Sequence, residues 1–352
     1  MDKKIMIMAG GTGGHVFPAL AVAQNLREKG WEVSWLGTER GLENRVVPAN
    51  GFEIDYLSVA GLRGKGITAK LKSVLLLFKA CTQAMGYLRQ RKPDVVLGMG
   101  GFVAAPGGMM AKLLGIPLVI HEQNRVVGTT NRLLAKLANQ VLEAFPESFP
   151  ATKKAICTGN PLRTDFLNLA EKSPWQASMR PLHILVVGGS QGAQVLNETV
   201  PQAIAALENV QVKHQTGEAM FETVTAAYQQ LNISVEVLKF IDDMSAAYQW
   251  ADLLICRSGA MTVSEVAAAG LPAIFVPLPH AIDDHQTANA HYLTDAGAGV
   301  MLLQKELTAE KLASVIKQSI PELNRMGLAA KNKARLDATK MVCDCCMTEA
   351  GA

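Results

Sequence analysis

Ile5-Met-Ile-Met-Ala-Gly-Gly-Thr-Gly-Gly-His15 decides the fold. It reads as a buried strand running into a glycine-rich turn, with an amphipathic helical pattern behind it. Glycines there let the backbone approach a ligand closely, and the helix start offers unpaired N–H groups and a positive dipole end. Ile184-Leu-Val-Val-Gly-Gly-Ser-Gln-Gly-Ala193 repeats the same grammar half a chain later. The match continues: Asp94-Val-Val-Leu-Gly-Met-Gly-Gly101 parallels Asp252-Leu-Leu-Ile-Cys-Arg-Ser-Gly259, and Gly115-Ile-Pro-Leu-Val-Ile-His121 parallels Gly270-Leu-Pro-Ala-Ile-Phe-Val276. Landmarks in the same order predict two similar α/β domains facing each other, with a phosphate-bearing ligand between them.

Working outward, strands are expected near 4–8, 32–36, 53–57, 94–98, 117–121 and 140–142, alternating with helices near 14–29, 70–90, 104–114 and 129–138. Such alternation implies a parallel sheet covered on both faces. The pattern breaks around Gly159-Asn-Pro-Leu-Arg163, where the boundary falls. Further strands follow near 182–187, 210–215, 234–239, 252–256 and 273–276, and a polar helical stretch over about 308–340 is expected on the surface, with its last helix free to pack back across the boundary on the first domain. The division is thus 1–160, 161–340 and a tail at 341–352. A chain of 352 residues favours two domains on length alone.

Hydrophobic residues make up 49% of the chain, enough for large aliphatic cores. The longest uncharged run, Val95 to Ala111, holds five glycines and a proline, which suits strand and loop better than a membrane span. The N-terminal apolar run is broken by the glycine loop and His15, which argues against a signal peptide. A net charge of +3 gives no case for nucleic acid. Cys81, Cys157 and Cys256 read as small buried residues in a reducing compartment. Cys343-Asp-Cys-Cys346 has the makings of a metal ligand cluster but lacks a second one, so a frayed terminus is expected.

Strand ends carry the chemistry, because open parallel sheets bind ligands beyond their carboxyl edges. The first glycine loop is no dinucleotide fingerprint, since Val16 stands where the last glycine is required, and no Gly-Lys-Ser/Thr follows to make a P-loop. His15 falls in the first helical turn; a helix N-terminus disfavours the imidazolium, so a neutral, proton-accepting base and a packing histidine are both open. Thr262 and Glu265 fit capping-box spacing, while Glu265 could equally accept hydrogen bonds from the vicinal hydroxyls of a ribose. His121-Glu-Gln-Asn124 sets polar groups directly after an apolar strand, a costly arrangement in a core and a common one in a site. Asp283-Asp-His-Gln286 suggests polar substrate contacts rather than metal ligation. Residues 65–92 carry seven cations and no acid around an apolar stripe of Leu71, Val74, Leu75, Phe78, Met85 and Leu88. An anionic membrane surface would suit that helix, and so would burial on two sides.

Together these motifs closely resemble the bacterial N-acetylglucosaminyl transferases that complete lipid II, the MurG family, over essentially the whole chain to about 340. The resemblance rests on Gly10–His15, Ser58–Lys65, Gly98–Gly101, His121–Asn124, Gly159–Arg163, Gly188–Gly192, Phe240–Met244 and Arg257–Glu265. It implies a GT-B architecture of two Rossmann-like doubly wound domains, the first mainly for the lipid I acceptor and the second mainly for UDP-N-acetylglucosamine. It implies inverting transfer without metal or other cofactor, with His15 or Glu122 as the base. Carried over by motif, the donor ligands are Thr12, Gly13, Gly14, Asn124, Arg163, Ser190, Ile241, Ala260, Met261, Thr262, Val263, Ser264, Glu265 and Gln286. The resemblance also implies a peripheral place on the cytoplasmic face of the inner membrane, through Lys72, Leu75, Phe78 and Lys79, among other proteins of cell-wall synthesis. The rival classes are a nucleotide-sugar epimerase, which needs neither a lipid acceptor nor a cationic apolar helix, a dehydrogenase, disfavoured by the failed fingerprint, and a non-catalytic nucleotide-sugar sensor.

Overall fold

Uninterrupted apolar runs become the central strands of two parallel sheets. A computed structural model describes residues 3–58, 67–171, 174–177, 179–189, 191–279 and 284–351, leaving aside the side chains of 67–74. The first compact unit comprises Met1–Arg163 and Leu336–Ala352, and the second Thr164–Arg335.

In the first unit the order is β1 (Lys4–Met8), α1 (Gly13–Glu28), β2 (Glu32–Gly37), α2 (Glu43–Ala49), β3 (Glu53–Tyr56), α3 (Ile67–Arg91), β4 (Val95–Gly98), α4 (Ala104–Leu113), β5 (Leu118–Glu122), α5 (Thr129–Leu134), β6 (Gln140–Glu143) and β7 (Ile156–Cys157). The sheet runs β3-β2-β1-β4-β5-β6-β7, all parallel. Strand order therefore reverses between β1 and β4, where Ile5 pairs with Val33 on one side and Val95 on the other. Successive side chains of a strand point to opposite faces. Ile5 and Ile7 join a core with Val16, Leu20 and Leu26 of α1, while Met6 and Met8 join another with Ala84 and Leu88 of α3 and Ala104 and Ala111 of α4. Burial on both faces is why β1 shows no alternation.

The second unit follows the same plan: α6 (Thr164–Leu167), β8 (Leu182–Val187), α7 (Gln194–Ala205), β9 (Val210–Gln215), α8 (Phe221–Gln230), β10 (Glu236–Leu238), α9 (Met244–Trp250), β11 (Leu253–Cys256), α10 (Ala260–Ala269), β12 (Ala273–Phe275), α11 (His285–Thr294), β13 (Gly299–Met301), α12 (Ala309–Ser319) and α13 (Leu323–Asn332). Its parallel sheet runs β10-β9-β8-β11-β12-β13, reversing between β8 and β11. Both sheets are thus Rossmann-like and doubly wound. The repeat extends to single bonds. Asp94 accepts the Lys4 N–H with its carboxylate (2.7 Å) and gives its own N–H to the Lys4 carbonyl (2.8 Å). Asp252 does the same with His183, at 3.0 and 2.8 Å. Each aspartate pins the foot of its central strand.

The C-terminal expectations need correction. The polar stretch over 308–340 is not one surface helix: α12 buries Leu312, Ala313, Val315 and Ile316 in the second core, and α13 buries Leu323, Met326 and Ala330. The stretch at 341–352 is no frayed tail. It forms α14 (Ala338–Glu349), packed on α1 and on β4, β5 and β6. Val342, Cys343 and Cys346 are fully buried in the first core, because helical spacing puts them on one face while Asp344 turns outward to Lys340.

Candidate active site

In the first unit the two loops at the strand reversal touch. A Cβ at Gly101 would lie 2.5 Å from the Gly10 carbonyl oxygen, so the loops after β1 and β4 can meet only with glycine there. Thr12 is the N-cap of α1, its carbonyl accepting the N–H groups of His15 (3.1 Å) and Val16 (3.2 Å). Gly13 and Gly14 open the helix, and His15 is its third residue. The imidazole lies against the next loop: a Cβ at Gly100 would sit 2.9 Å from its Cδ2 and 3.0 Å from its Nε2. Arg163 stands over the ring of Phe17, at 6.0 Å from its centroid.

At the end of β5 the predicted polar cluster is real but its members divide. His121 is wholly buried, with Nε2 donating to the Gly159 carbonyl (2.9 Å) and Nδ1 accepting from the Gln123 amide (3.0 Å). Burial lowers its pKa to about 4, against the opposing pulls of the Gly159 carbonyl and the Glu122 charge, and keeps it neutral. Glu122 is also buried. Its Oε1 accepts from Asn124 N (2.9 Å) and Nδ2 (3.3 Å), its Oε2 from Gly128 N (3.0 Å) and Asn131 Nδ2 (2.9 Å). With both oxygens engaged, this carboxylate organises the 123–131 loop. Asn124, partly exposed, is fixed by it.

In the second unit a pocket of about 610 Å³ opens at the reversal between β8 and β11. That volume suits a nucleotide-sized ligand. Gly188, Gly189 and Gly192 line it together with Arg257, Thr262 and Gln286. Gly192 is indispensable to the shape, since its φ is +76° and a Cβ would meet the Thr216 carbonyl oxygen at 1.9 Å. Gln286 accepts the Leu278 N–H (2.9 Å) at the rim. Ser190 and Asp283 lie outside the described residues. Ile241 is nearly buried in the loop between β10 and α9.

The 260–265 set also divides. The N-cap of α10 is Gly259, so Thr262 is the helix's third residue and no Thr262–Glu265 capping box exists. Thr262 lines the pocket, whereas Val263 is fully buried on the inner face and Ala260 nearly so. Ser264 donates to the Ala260 carbonyl (2.9 Å), and Met261 is partly exposed. Glu265 receives the Tyr248 hydroxyl at 3.5 Å.

Arg257 belongs to this pocket and was absent from the predicted set. It donates to the carbonyls of Val276 (2.9 Å) and Pro277 (3.1 Å) and to Gln304 Oε1 (2.8 Å), and burial lowers its pKa. A lone cation directly after a buried strand was the signal. Nothing in the sequence marks Gln304, which arrives from beyond β13.

On α3 the predicted apolar stripe mixes two faces. Ala80, Ala84 and Leu88 face the core, while Leu75 (64% exposed), Phe78 (70%) and Leu77 stand in solvent beside exposed Lys79. Burial on two sides is thereby overturned for the described part. The Lys72 side chain lies outside the described residues. Among the described residues, no helix is long and apolar enough to cross a membrane.

Comparisons with known proteins identify a family for both halves of the chain. The glycosyltransferase family 28 N-terminal domain matches residues 5–143 and the family 28 C-terminal domain residues 183–342. A protein of Methylococcus capsulatus, named UDP-N-acetylglucosamine--N-acetylmuramyl-(pentapeptide) pyrophosphoryl-undecaprenol N-acetylglucosamine transferase, is 57% identical over the full length of both chains. The crystal structure of Acinetobacter baumannii MurG is similar at 44% identity with a TM-score of 0.84, covering 98% of this chain and 99% of that one. A UDP-GlcNAc 2-epimerase from Neisseria meningitidis, solved bound to UDP-GlcNAc, has a TM-score of 0.67 at 13% identity, covering 97% and 98%. A likeness at that identity speaks for the fold alone.

Proposed function

Because the chain belongs to glycosyltransferase family 28, among the bacterial UDP-N-acetylglucosamine–N-acetylmuramyl-(pentapeptide) pyrophosphoryl-undecaprenol N-acetylglucosamine transferases, we propose that its two glycine-loop sites perform that transfer. The chain moves N-acetylglucosamine from UDP-N-acetylglucosamine to the 4-hydroxyl of the N-acetylmuramyl unit of lipid I, giving lipid II for peptidoglycan. The observation that carries this is identity of 57% along the entire length of a relative of that name.

In the chemistry we assign, the acceptor oxygen attacks the anomeric carbon of the donor sugar from the face opposite UDP. The new glycosidic bond forms as the bond from that carbon to the phosphate oxygen breaks, and configuration inverts. His15, against Gly100, takes the hydroxyl proton. Taken unit by unit, α7 begins beside the glycine-lined pocket and α1 begins at the first glycine loop, and each helix start offers N–H groups and a positive dipole end suited to phosphate charge, which supports metal-independent transfer. Donor contacts fall to Thr262, Glu265, Gln286, Ser190 and Ile241 in the second unit, with Ala260, Met261, Val263 and Ser264 contributing through the backbone of α10. Thr12, Gly13, Gly14, Asn124 and Arg163 complete the donor set from the first unit. The exposed Leu75, Phe78 and Lys79, with Lys72, attach the protein to the anionic inner leaflet of the cytoplasmic membrane, where lipid I resides.

Radiolabel transfer from UDP-N-acetylglucosamine to a lipid I analogue tests the assignment. Labelled lipid II should form, and should still form in EDTA. Conversion of the donor to an epimer without transfer would favour the epimerase; a strict divalent-metal requirement would overturn the helix-terminus account of phosphate stabilisation.

A further inference from the structure

Glu43 has no part in the chemistry above, yet its carboxylate is wholly buried directly behind the first glycine loop. It is the first residue of α2. Oε2 accepts the Gly11 N–H at 2.9 Å, and Oε1 accepts the Thr38 N–H (2.9 Å) and hydroxyl (2.7 Å). The Thr38 hydroxyl accepts in turn from the Gly41 N–H at 3.1 Å. These partners are neutral N–H and O–H donors, and among the described residues no cation pairs with the carboxylate. The space around it is made by absent side chains: a Cβ on Gly10 would lie 2.6 Å from Oε1, and one on Gly41 2.0 Å from Oε2. A buried carboxylate without a cation is costly unless its hydrogen bonds are complete, so an arrangement this closed holds a particular backbone shape.

From this we infer that Glu43 is a positioning residue of the transfer reaction, fixing the Gly10–Gly14 loop so that His15 meets the acceptor hydroxyl. The inference rests on His15 being the base. The loop is held from two sides: Glu43 anchors Gly11 on the β2 side, and Gly101 abuts Gly10 on the β4 side. Gly11 adjoins Thr12, whose carbonyl begins the helix that carries His15. Turning the Gly11 N–H inward also takes it away from the ligand, leaving the first turn of α1 as the anion-facing donors. Glutamine cannot replace glutamate here. Two backbone N–H donors approach opposite ends of the carboxylate, and an amide would aim its NH₂ at one of them.

A misplacement of ~1 Å costs about 100-fold in rate, so Glu43→Gln should lower kcat by about 10- to 100-fold. In a His15→Ala background the same change should cost less than about threefold, since a lost base cannot be misplaced. The Gly11 amide should exchange with solvent faster in Glu43→Gln, read by hydrogen exchange. Thr38→Val is a second variant that keeps Glu43 and the shape; it should lower kcat about three- to tenfold, again with the effect lost alongside His15→Ala. Equal costs in both backgrounds would overturn the positioning role, as would an unchanged kcat with a freed Gly11 amide. A His15→Ala enzyme of near-normal rate would sink the base assignment and this inference with it. The Gly11 amide signal still reports independently whether Glu43 holds the loop.

Discussion

The His15 imidazole lies where Gly100 leaves room for it, and the one carboxylate proposed as its competitor, Glu122, is occupied on both oxygens. A general base contributes ~10²–10⁴-fold in rate, so His15→Ala should lower kcat by that order with donor KM little changed. Steady-state kinetics on a soluble acceptor checks it, and a near-normal kcat would move the role elsewhere. Glu265→Gln should raise donor KM while the melting temperature stays close to that of the parent, because Glu265 does not cap α10, whose N-cap is Gly259, and a glutamine carbonyl can still accept from the Tyr248 hydroxyl. Two buried histidines set the acid limit. Burial lowers His121 to about 4 and His214 to about 3 from an ordinary 6.5. His214 is held neutral between the Tyr228 hydroxyl (2.9 Å) and Asn197 Oδ1 (3.1 Å). Between those values the unfolded chain binds more protons than the folded one, so stability present above about pH 6.5 is lost as the pH falls towards 4. That loss is roughly 3 kcal/mol for each histidine. Urea unfolding from pH 7 to 4.5 should show the decline, and His214→Gln should flatten it; an unchanged slope would exonerate the histidine. Residues of this kind were only partly legible. The sequence marks His121–Asn124 as a polar cluster, but which member faces a ligand depends on Gly159, Gly128 and Asn131, all brought in by tertiary folding. Glu43 gave no signal at all, since an isolated glutamate ordinarily stands in solvent.

Among elements, the central strands were the easiest to recognise. A strand buried on both faces must be apolar throughout, and Val95–Gly98 and Leu253–Cys256, expected near 94–98 and 252–256, are such strands. Helices near the chain end were harder. Cys343-Asp-Cys-Cys346 looks like a polar terminus until helical spacing brings Val342, Cys343 and Cys346 onto α1. Burial there pushes the Cys343 thiol up to about 12, which suits a packing residue rather than a metal ligand. For α3 the buried and exposed faces are now distinct, which sharpens the membrane test. Leu75→Ser with Phe78→Ser should reduce binding to vesicles of phosphatidylglycerol without lowering the melting temperature, because both side chains are exposed. Lys72→Glu with Lys79→Glu should weaken binding most at low salt, as an electrostatic contact requires. Transfer to a short-chain acceptor should be retained in both. Sedimentation with vesicles that is indifferent to all four changes would remove the membrane role from this helix.

At the scale of the whole molecule, two similar sheets carry two similar glycine loops, and the matched bonds of Asp94 to Lys4 and Asp252 to His183 extend the likeness to their frames. The units differ in one respect of connectivity. The second is a single continuous segment, whereas the first begins with the N-terminus and is completed by α14. On a ribosome, that reverses the usual order of maturation. With synthesis at ~5–20 residues per second, the unit begun first waits roughly 10–40 s for the helix that closes its core. Meanwhile the unit begun second already has its whole sequence. Nascent chains stalled after Arg335 should therefore resist protease across Thr164–Arg335 while Met1–Arg163 is still cut, and protection of the early segment should appear once Val342, Cys343 and Cys346 emerge. Equal protection of both segments in the shorter chains would show that the first core closes without its last helix. A newly made molecule would thus acquire its nucleotide-sized pocket before the core that carries His15 is closed, and the arrival of α14 would time the onset of its activity.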